Sequence, residues 1–232
     1  MEYSEVIALF SKNTVDLESI DFGCDSIILS KNIFKDIEAV DSEYAEERMS
    51  YPTYGLLYPT KDNRLELYVD QNLDEVNLLI TLLHELVHFS DYSNLAAVHN
   101  ASFRELFDDY YFLLWTEFHA SYISYRFAIR LGKEAINRDE VVSELSQKYR
   151  DYLFEKKQIQ LNEYANFCFR LYGEILALAD EYNEDCTNQL IEEVVPERFS
   201  RVFDYLCCHK TFTSLITTCG DYRLLIDDAD NV

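Results

Sequence analysis

The stretch that decides the fold runs from Asp74 to Phe89 and reads DEVNLLITLLHELVHF. It contains neither Gly nor Pro, and its leucines and valines form a broad apolar surface, as expected of a helix that is buried. Asp74 is a favourable N-cap residue, and Glu75 suits the positive end of the helix dipole. The sequence therefore predicts a buried helix from about residue 74 to about residue 91.

Two histidines of this helix, His84 and His88, are four positions apart. On an α-helix that spacing corresponds to about 40° of rotation and about 6 Å of rise, so both imidazoles leave the same face and can bind one ion. Zinc accepts imidazole nitrogen at about 2.0–2.1 Å and prefers four ligands. Glu85 can reach the open side of such a metal and accept a proton from a bound water. The pattern therefore predicts a zinc site with two histidine ligands and Glu85 as its general base.

A catalytic zinc site needs a third protein ligand, and Glu117 is the candidate that the sequence favours. It lies 29 positions after His88 in a stretch of helical character. A single helix folded straight back from residue 101 would carry Glu117 roughly 20 Å past the histidines. We therefore expect a new helix to begin near Asp108 and Asp109, which are good N-cap residues. Small residues that would allow another helix to approach closely stand three, four and seven positions after Glu117: Ala120, Ser121 and Ser124.

His99 is the alternative third ligand. It follows His88 by eleven positions, and a loop of that length could return an imidazole to the metal. His119 stands two positions after Glu117, about 200° around the helix, and so cannot share its face. The residues alone leave the choice between Glu117 and His99 open, with Glu117 favoured.

The H-E-x-x-H pattern is typical of zincin peptidases, and around it the chain resembles the ImmA/IrrE-like zinc peptidases over residues of about 50–131. The corresponding segments are a strand, an acidic helix start, the histidine motif and an E-x-x-A segment: Leu65–Asp70, Asp74–Glu75, His84–His88 and Glu117–Ala120. The resemblance implies that His84, His88 and Glu117 bind zinc and that Glu85 is the catalytic base. It also implies hydrolysis of a regulatory protein, often one of a mobile element.

A weaker resemblance is to the SprT-like peptidases, which place a histidine and then a phenylalanine after H-E-x-x-H, as His99 and Phe103 stand here. This resemblance implies His99 as the third ligand and action near DNA. The net charge of −23, from 43 acidic and 20 basic side chains, argues against binding to a phosphate backbone. No basic stripe offsets that charge, so we expect no nucleic-acid partner.

The composition indicates a soluble, cytoplasmic protein. No segment reaches 18 uninterrupted apolar residues, so we expect no membrane span. The first residues lack the basic and apolar regions of a secretory signal. The six cysteines form no C-x-x-C pair, which favours reduced thiols.

The remaining pattern predicts an α+β fold, namely a zincin-like domain with a small N-terminal sheet, an active-site helix and a helical C-terminal half. We expect a zincin-like metallopeptidase domain over residues 1–132 and a helical extension packed on it over residues 133–232. Further predicted elements are strands at 26–30, 54–58 and 64–69, of which the last two form a hairpin, and helices at 3–10, 31–40, 138–157, 159–183 and 197–218. A loop or short helix is predicted at 92–108, followed by a long helix to about residue 131, and the tail from Asp227 is expected to be frayed.

Together these features predict a zinc metallopeptidase that hydrolyses a peptide bond in a protein substrate. The strand at 64–69 alternates apolar and polar residues, as a half-exposed edge strand does, and an extended substrate could add to that edge. The alternative is a non-catalytic protein-binding module on a metallopeptidase scaffold, because fold does not fix function. The presence of Glu85 favours the enzyme, since a scaffold needs no base.

Overall fold

The structure is a computed structural model that describes residues 27–48, 53–132, 143, 147, 161–182 and 197–230. The helix predicted at 3–10 lies outside the described residues. So does the helix predicted at 138–157, apart from residues 143 and 147, which are helical. No helix within the described ranges is long and apolar enough to cross a membrane.

The described residues divide after Asp109 into two compact units. The first unit contains a small sheet and its helices, and the second, from Tyr110 onward, is helical where it is described. The predicted α+β class with a small N-terminal sheet is therefore confirmed. The zincin-like character, and the assignment of residues 1–132 and 133–232 to a peptidase domain and an extension, stay predictions.

The first unit contains β1 (Ile27–Ser30), α1 (Ile33–Val40), α2 (Ser42–Arg48), β2 (Gly55–Pro59), β3 (Leu65–Asp70), α3 (Glu75–His99) and α4 (Phe103–Phe107). The second unit contains α5 (Tyr110–Gly132), α6 (Leu161–Tyr182), a 3-10 turn (Glu197–Phe199), α7 (Ser200–Cys208) and α8 (Phe212–Asp230). The strands and the helices α1, α5 and α6 lie close to the predicted ranges.

β3 is the central strand of a three-stranded sheet with the order β1-β3-β2. β1 is parallel to β3, with Ile27 opposite Leu67, and β2 is antiparallel to β3, with Leu57 opposite the same residue. The prediction that the strand at 64–69 forms an edge is therefore wrong. β1 pairs with the side of β3 that the hairpin leaves open, and alternation along a single strand cannot reveal such a long-range pairing.

The predicted hairpin between β2 and β3 is confirmed. The N–H of Thr60 donates to the carbonyl oxygen of Arg64 at 2.8 Å and closes the turn. Asn63 has a left-handed φ of 61°, which Asn adopts more readily than most residues. Its side-chain oxygen accepts a hydrogen bond from the N–H of Phe103 at 2.8 Å, so the turn also anchors the start of α4.

Both faces of the sheet are covered, which explains why Tyr68 is only 5% exposed where half exposure was expected. On one face, Tyr58 and Tyr68 pack with Ile33 and Ile37 of α1. Side chains alternate between faces along a strand, so Leu67 points to the other face, where α3 packs against β2 and β3. The helix that carries the histidines is thus held by apolar contact with two strands.

α3 begins where the sequence predicts. The Asp74 carboxylate accepts hydrogen bonds from the backbone N–H groups of Val76 and Asn77 at 3.1 and 3.0 Å. These bonds satisfy two of the donors that the first turn of a helix leaves without an intrahelical partner. Asp74 is therefore the N-cap that the sequence predicts.

The predicted end of this helix near residue 91 is wrong, because α3 continues to His99. Tyr92 and Leu95 are buried, so two further turns gain apolar packing and the chain contains no Gly or Pro to stop them. The helix ends where Asn100 adopts a left-handed conformation.

The helix break that was expected near Asp108 is confirmed. A capping box of Ser102 and Glu105 starts α4, which is only five residues long. Its last residue is Phe107, and α5 begins at Tyr110. Two separate helices therefore replace the single long helix that would have carried Glu117 away from the histidines.

In the second unit, α5 and α6 pack along each other and are joined by buried charge. The Glu181 carboxylate of α6 accepts hydrogen bonds from Nε of Arg126 and Nε of Arg130, both at 2.9 Å. Burial raises the pKa of the Glu181 carboxyl, but the two guanidinium groups outweigh burial and lower it. This carboxylate is therefore charged and tied to α5.

The predicted fraying from Asp227 is wrong, because α8 remains helical to Asp230. The hydroxyl of Tyr111 donates to the Asp227 carboxylate at 2.6 Å. In return the hydroxyl of Tyr222 donates to the backbone carbonyl of Tyr111 at 3.1 Å. Two bonds to α5 thus hold the last helix in place despite its acidic composition.

Asp41, at the end of α1, joins four parts of the first unit. Its carboxylate is 1% exposed, pairs with the Lys61 ammonium at 3.1 Å and accepts hydrogen bonds from the Tyr58 hydroxyl at 3.0 Å and from the Arg104 guanidinium. Burial alone would raise the pKa of this carboxyl, but these partners outweigh burial and lower the pKa from 3.8 to about 2. Its charge therefore stabilises the contacts among α1, β2, the hairpin turn and α4.

We expect Asp41→Asn to lower the free energy of unfolding by about 2 kcal/mol at pH 7, the value that corresponds to the lowered carboxyl pKa. A lowered pKa stabilises the folded state fully above about pH 4, the unfolded value, and this contribution is lost as the pH falls toward about 2. Urea unfolding of both proteins between pH 2 and pH 7 measures the difference. A difference that does not shrink at acid pH contradicts the assignment.

Gly173 of α6 lies at a close approach of α5 and α6. A Cβ atom at this position would lie 2.4 Å from the carbonyl oxygen of Phe118 and 2.7 Å from the backbone N of Tyr122. Backbone atoms cannot rotate away, so we expect Gly173→Ala to destabilise the protein by about 1–3 kcal/mol. Gly220→Ala is the matched control, because an added Cβ there meets no atom within 4 Å. Thermal unfolding of the two variants tests this, and equal melting temperatures contradict it.

Candidate metal centre

His84 and His88 leave one face of α3 with their Nε2 atoms 3.1 Å apart. Their ring centroids are 4.7 Å apart and the ring planes meet at 80°. Two nitrogens bound to one tetrahedral zinc ion at about 2.0–2.1 Å are separated by roughly 3.3 Å. The helix therefore holds both donor atoms at nearly the spacing that a single zinc ion requires.

Glu117 of α5 completes the group. His84, His88 and Glu117 each offer one ligand atom, and these three atoms lie within 4.8 Å of one another. Of the His, Cys, Asp and Glu side chains that the structure describes, these are the ones grouped so that they could hold a metal ion. Two imidazoles and a carboxylate form a donor set that suits zinc. The residues fit a zinc ion, and that zinc binds them stays a prediction.

His99 does not belong to this group. The loop that would have returned it to the metal does not form, because residues 92–99 continue α3. Eleven positions of α-helix place His99 about 16 Å from His88 along the axis. The structure therefore groups Glu117 with the two histidines and leaves the alternative ligand out of reach.

Arg170 of α6 is a neighbour of Glu117 that sequence reasoning missed. Its Nε lies 3.7 Å from Oε2 of Glu117, and the two side chains are 53% and 17% exposed. This distance is too long for a hydrogen bond, and an ion pair with so exposed a guanidinium contributes little. Arg170 therefore offsets part of the charge on Glu117.

The small residues after Glu117 were expected to allow another helix to approach closely, and Ser121 does so. Ser121 faces α6, since its Cβ lies 2.9 Å from where a Cβ at Gly173 would be. The close approach that Ser121 permits is therefore to α6. His119 is 5% exposed and stacks on Trp115 with ring centroids 4.8 Å apart, which is the packing role of a core histidine.

Glu85 is 8% exposed and lies against β2. A Cβ built on Gly55 would be 2.7 Å from Oε1 and 2.8 Å from Cγ of Glu85. The carboxylate thus rests on the backbone of the strand, one helical position away from His84. Sequence reasoning did not single out Gly55, although a glycine at the start of a strand is a recognised sign of close approach.

The comparisons with known proteins do not assign this chain to a family. No family model, no curated protein and no solved structure matches this chain. The resemblance to the ImmA/IrrE-like peptidases therefore rests on the motif residues alone and stays a prediction.

We expect the wild-type protein to bind one zinc ion. The variants His84→Ala, His88→Ala and Glu117→Ala should each lose more affinity than the 10–100-fold that is typical of changing an outer-shell partner. His99→Ala is the matched control and should bind zinc like the wild type. Competition with a chromophoric chelator, together with metal analysis, measures both affinity and stoichiometry. Full zinc occupancy in a histidine variant, or loss of zinc in His99→Ala, contradicts the assignment.

Proposed function

We propose that this protein is a zinc-dependent metallopeptidase that hydrolyses a peptide bond in a protein substrate. The observation that supports the proposal is the 3.1 Å separation of the His84 and His88 Nε2 atoms, with the Glu117 carboxylate beside them. Glu85 follows the first ligand directly, which is the position of the base in H-E-x-x-H peptidases. A purely structural metal site would need a fourth protein ligand and no such base.

His84, His88 and Glu117 would hold the metal through two nitrogens and a carboxylate oxygen. Zinc bound there would supply a water of lowered pKa and a Lewis acid for the scissile carbonyl. The Glu85 carboxylate would accept the proton of that water and donate it to the leaving amine. The burial of Glu85 and its contact with β2 support this role, because a base must be held in place to act repeatedly.

We propose that β2 binds the substrate, in place of β3, which the sequence had suggested. β3 is paired on both sides, whereas β1 and β2 lie at the edges of the sheet formed by the described strands. Of these two, β2 carries Gly55, which lies against Glu85. An extended peptide that adds to β2 through main-chain hydrogen bonds would therefore pass close to the proposed base. A regulatory protein of a mobile element is the substrate that the ImmA/IrrE-like resemblance suggests.

A non-catalytic protein-binding module is the alternative function. The net charge of −23 suits a basic protein partner better than nucleic acid. A binding module would still bind its partner if Glu85 could not ionise, whereas a peptidase would lose activity. The Glu85→Gln variant therefore distinguishes the two functions. We propose the cytoplasm as the location in either case, on the composition of the chain.

We expect Glu85→Gln to bind zinc like the wild type and to hydrolyse its substrate at least about 100-fold more slowly, because removal of a general base typically costs about 10²–10⁴-fold. The substrate is sought by sequencing the new protein N-termini that appear in cells expressing each form. N-termini that appear with the wild type and are lost with both Glu85→Gln and His88→Ala identify it. Equal sets of N-termini in all three strains contradict the peptidase and favour the binding module.

A further inference from the structure

We propose that Gly55 is a positioning residue, which sets the location of the Glu85 carboxylate because it has no side chain. The inference rests on the proposed function, since it assigns Glu85 to the open side of a metal held by His84 and His88. It concerns a strand residue outside the histidine motif.

The contact between β2 and α3 leaves no room for a side chain at position 55 unless Thr81 and Glu85 shift. An added Cβ would lie 2.7 Å from Oε1 and 2.8 Å from Cγ of Glu85, and 2.7 Å from Cγ2 of Thr81. Real Cβ atoms essentially never come within 3.0 Å of such neighbours. Thr81 and Glu85 are one helical turn apart, so a single row of α3 rests on the backbone of Gly55.

The lack of room between β2 and α3 explains the glycine at position 55, whereas its backbone conformation does not require glycine. Gly55 does not have a positive φ and pairs with Val69 in the antiparallel ladder. A residue with a side chain could adopt that conformation, and glycine in a strand costs roughly 0.5–1 kcal/mol relative to alanine. The close approach of Glu85 is the feature of the structure that requires it.

The helix cannot move back to make room for a larger residue. Leu83 and Val87 of the same turns are fully buried and stand on the side of the helix roughly opposite Thr81 and Glu85, so withdrawal of α3 from β2 would press them into the residues that bury them. The Glu85 side chain can move instead, because rotation about χ1 carries both Cγ and the carboxylate away from position 55. An alanine at position 55 should therefore turn the Glu85 side chain to another rotamer while leaving the two histidines in place.

The experiment measures azide binding to the cobalt-substituted protein, for which no substrate is needed. Azide takes the open position of the metal, and a carboxylate close by repels it. We expect Glu85→Gln to raise azide affinity about tenfold or more. Gly55→Ala should raise it in the same direction and alter the visible cobalt spectrum in the same way. Gly55→Ala combined with Glu85→Gln should match Glu85→Gln alone, and Gly220→Ala should match the wild type.

The outcomes separate the two proposals. Unchanged azide affinity and spectrum in Gly55→Ala, with both changed in Glu85→Gln, overturn the role of Gly55 and leave that of Glu85 intact. No change in Glu85→Gln itself shows that the carboxylate does not face the metal, and this overturns both proposals. If the wild-type protein binds no cobalt, the metal site itself is overturned, and the proposed role of Gly55 is overturned with it.

A second measurement tests the proposal in case the Gly55→Ala variant folds too poorly for azide binding to be measured. The Thr81→Ser change removes the Cγ2 contact, so in that background the remaining clash is with Glu85. We expect Glu85→Ala to restore the melting temperature that Gly55→Ala loses there. If Glu85→Ala does not restore the melting temperature, a clash with Glu85 is not the reason that position 55 requires glycine, and the proposal is overturned.

Discussion

Helix α3 packs against β2 and β3, its side chains Leu83, Leu86 and Val87 are fully buried, and the same two turns carry two of the three candidate metal ligands. Burial of each such side chain stabilises the fold by about 1.5–3 kcal/mol. Rotation of the helix by one position would turn it by about 100° and move these side chains out of the positions in which they are buried. The apolar packing therefore decides which face of α3 presents His84 and His88. The 3.1 Å approach of their nitrogens is a consequence of that packing and of the four-residue spacing.

Local signals explain the parts of this fold that the sequence predicted. Asp74 caps α3 through its own carboxylate, the turn at Asn63 closes the hairpin, and the break near Asp108 follows from short-range chemistry. Each of these features depends on residues within a few positions of one another. The α+β class could be predicted because it needs only the element types and their order along the chain.

Long-range contacts account for what the sequence could not predict. The pairing of β1 with β3 joins residues 40 positions apart, such as Ile27 and Leu67, and it made β3 central where an edge was expected. The extension of α3 to His99 depends on the burial of Tyr92 and Leu95. At the candidate site, the histidine motif is local and was found, whereas the contacts of Glu85 with Gly55 and of Glu117 with Arg170 join distant segments. A sequence pattern within one segment does not indicate which residues of a distant segment it will contact.

The carboxylates of this protein differ in how firmly they are held, and the difference bears on which of them can bind a metal. Asp41 is held by Arg104, Lys61 and Tyr58, and its pKa is lowered to about 2 despite burial. Glu181 is likewise held at hydrogen-bonding distance by two arginines. A metal that took either carboxylate would have to replace several strong bonds, so neither can become a ligand without the loss of these contacts. Asp41 and Glu181 therefore serve the fold, whereas Glu117 is the carboxylate that the structure groups with His84 and His88.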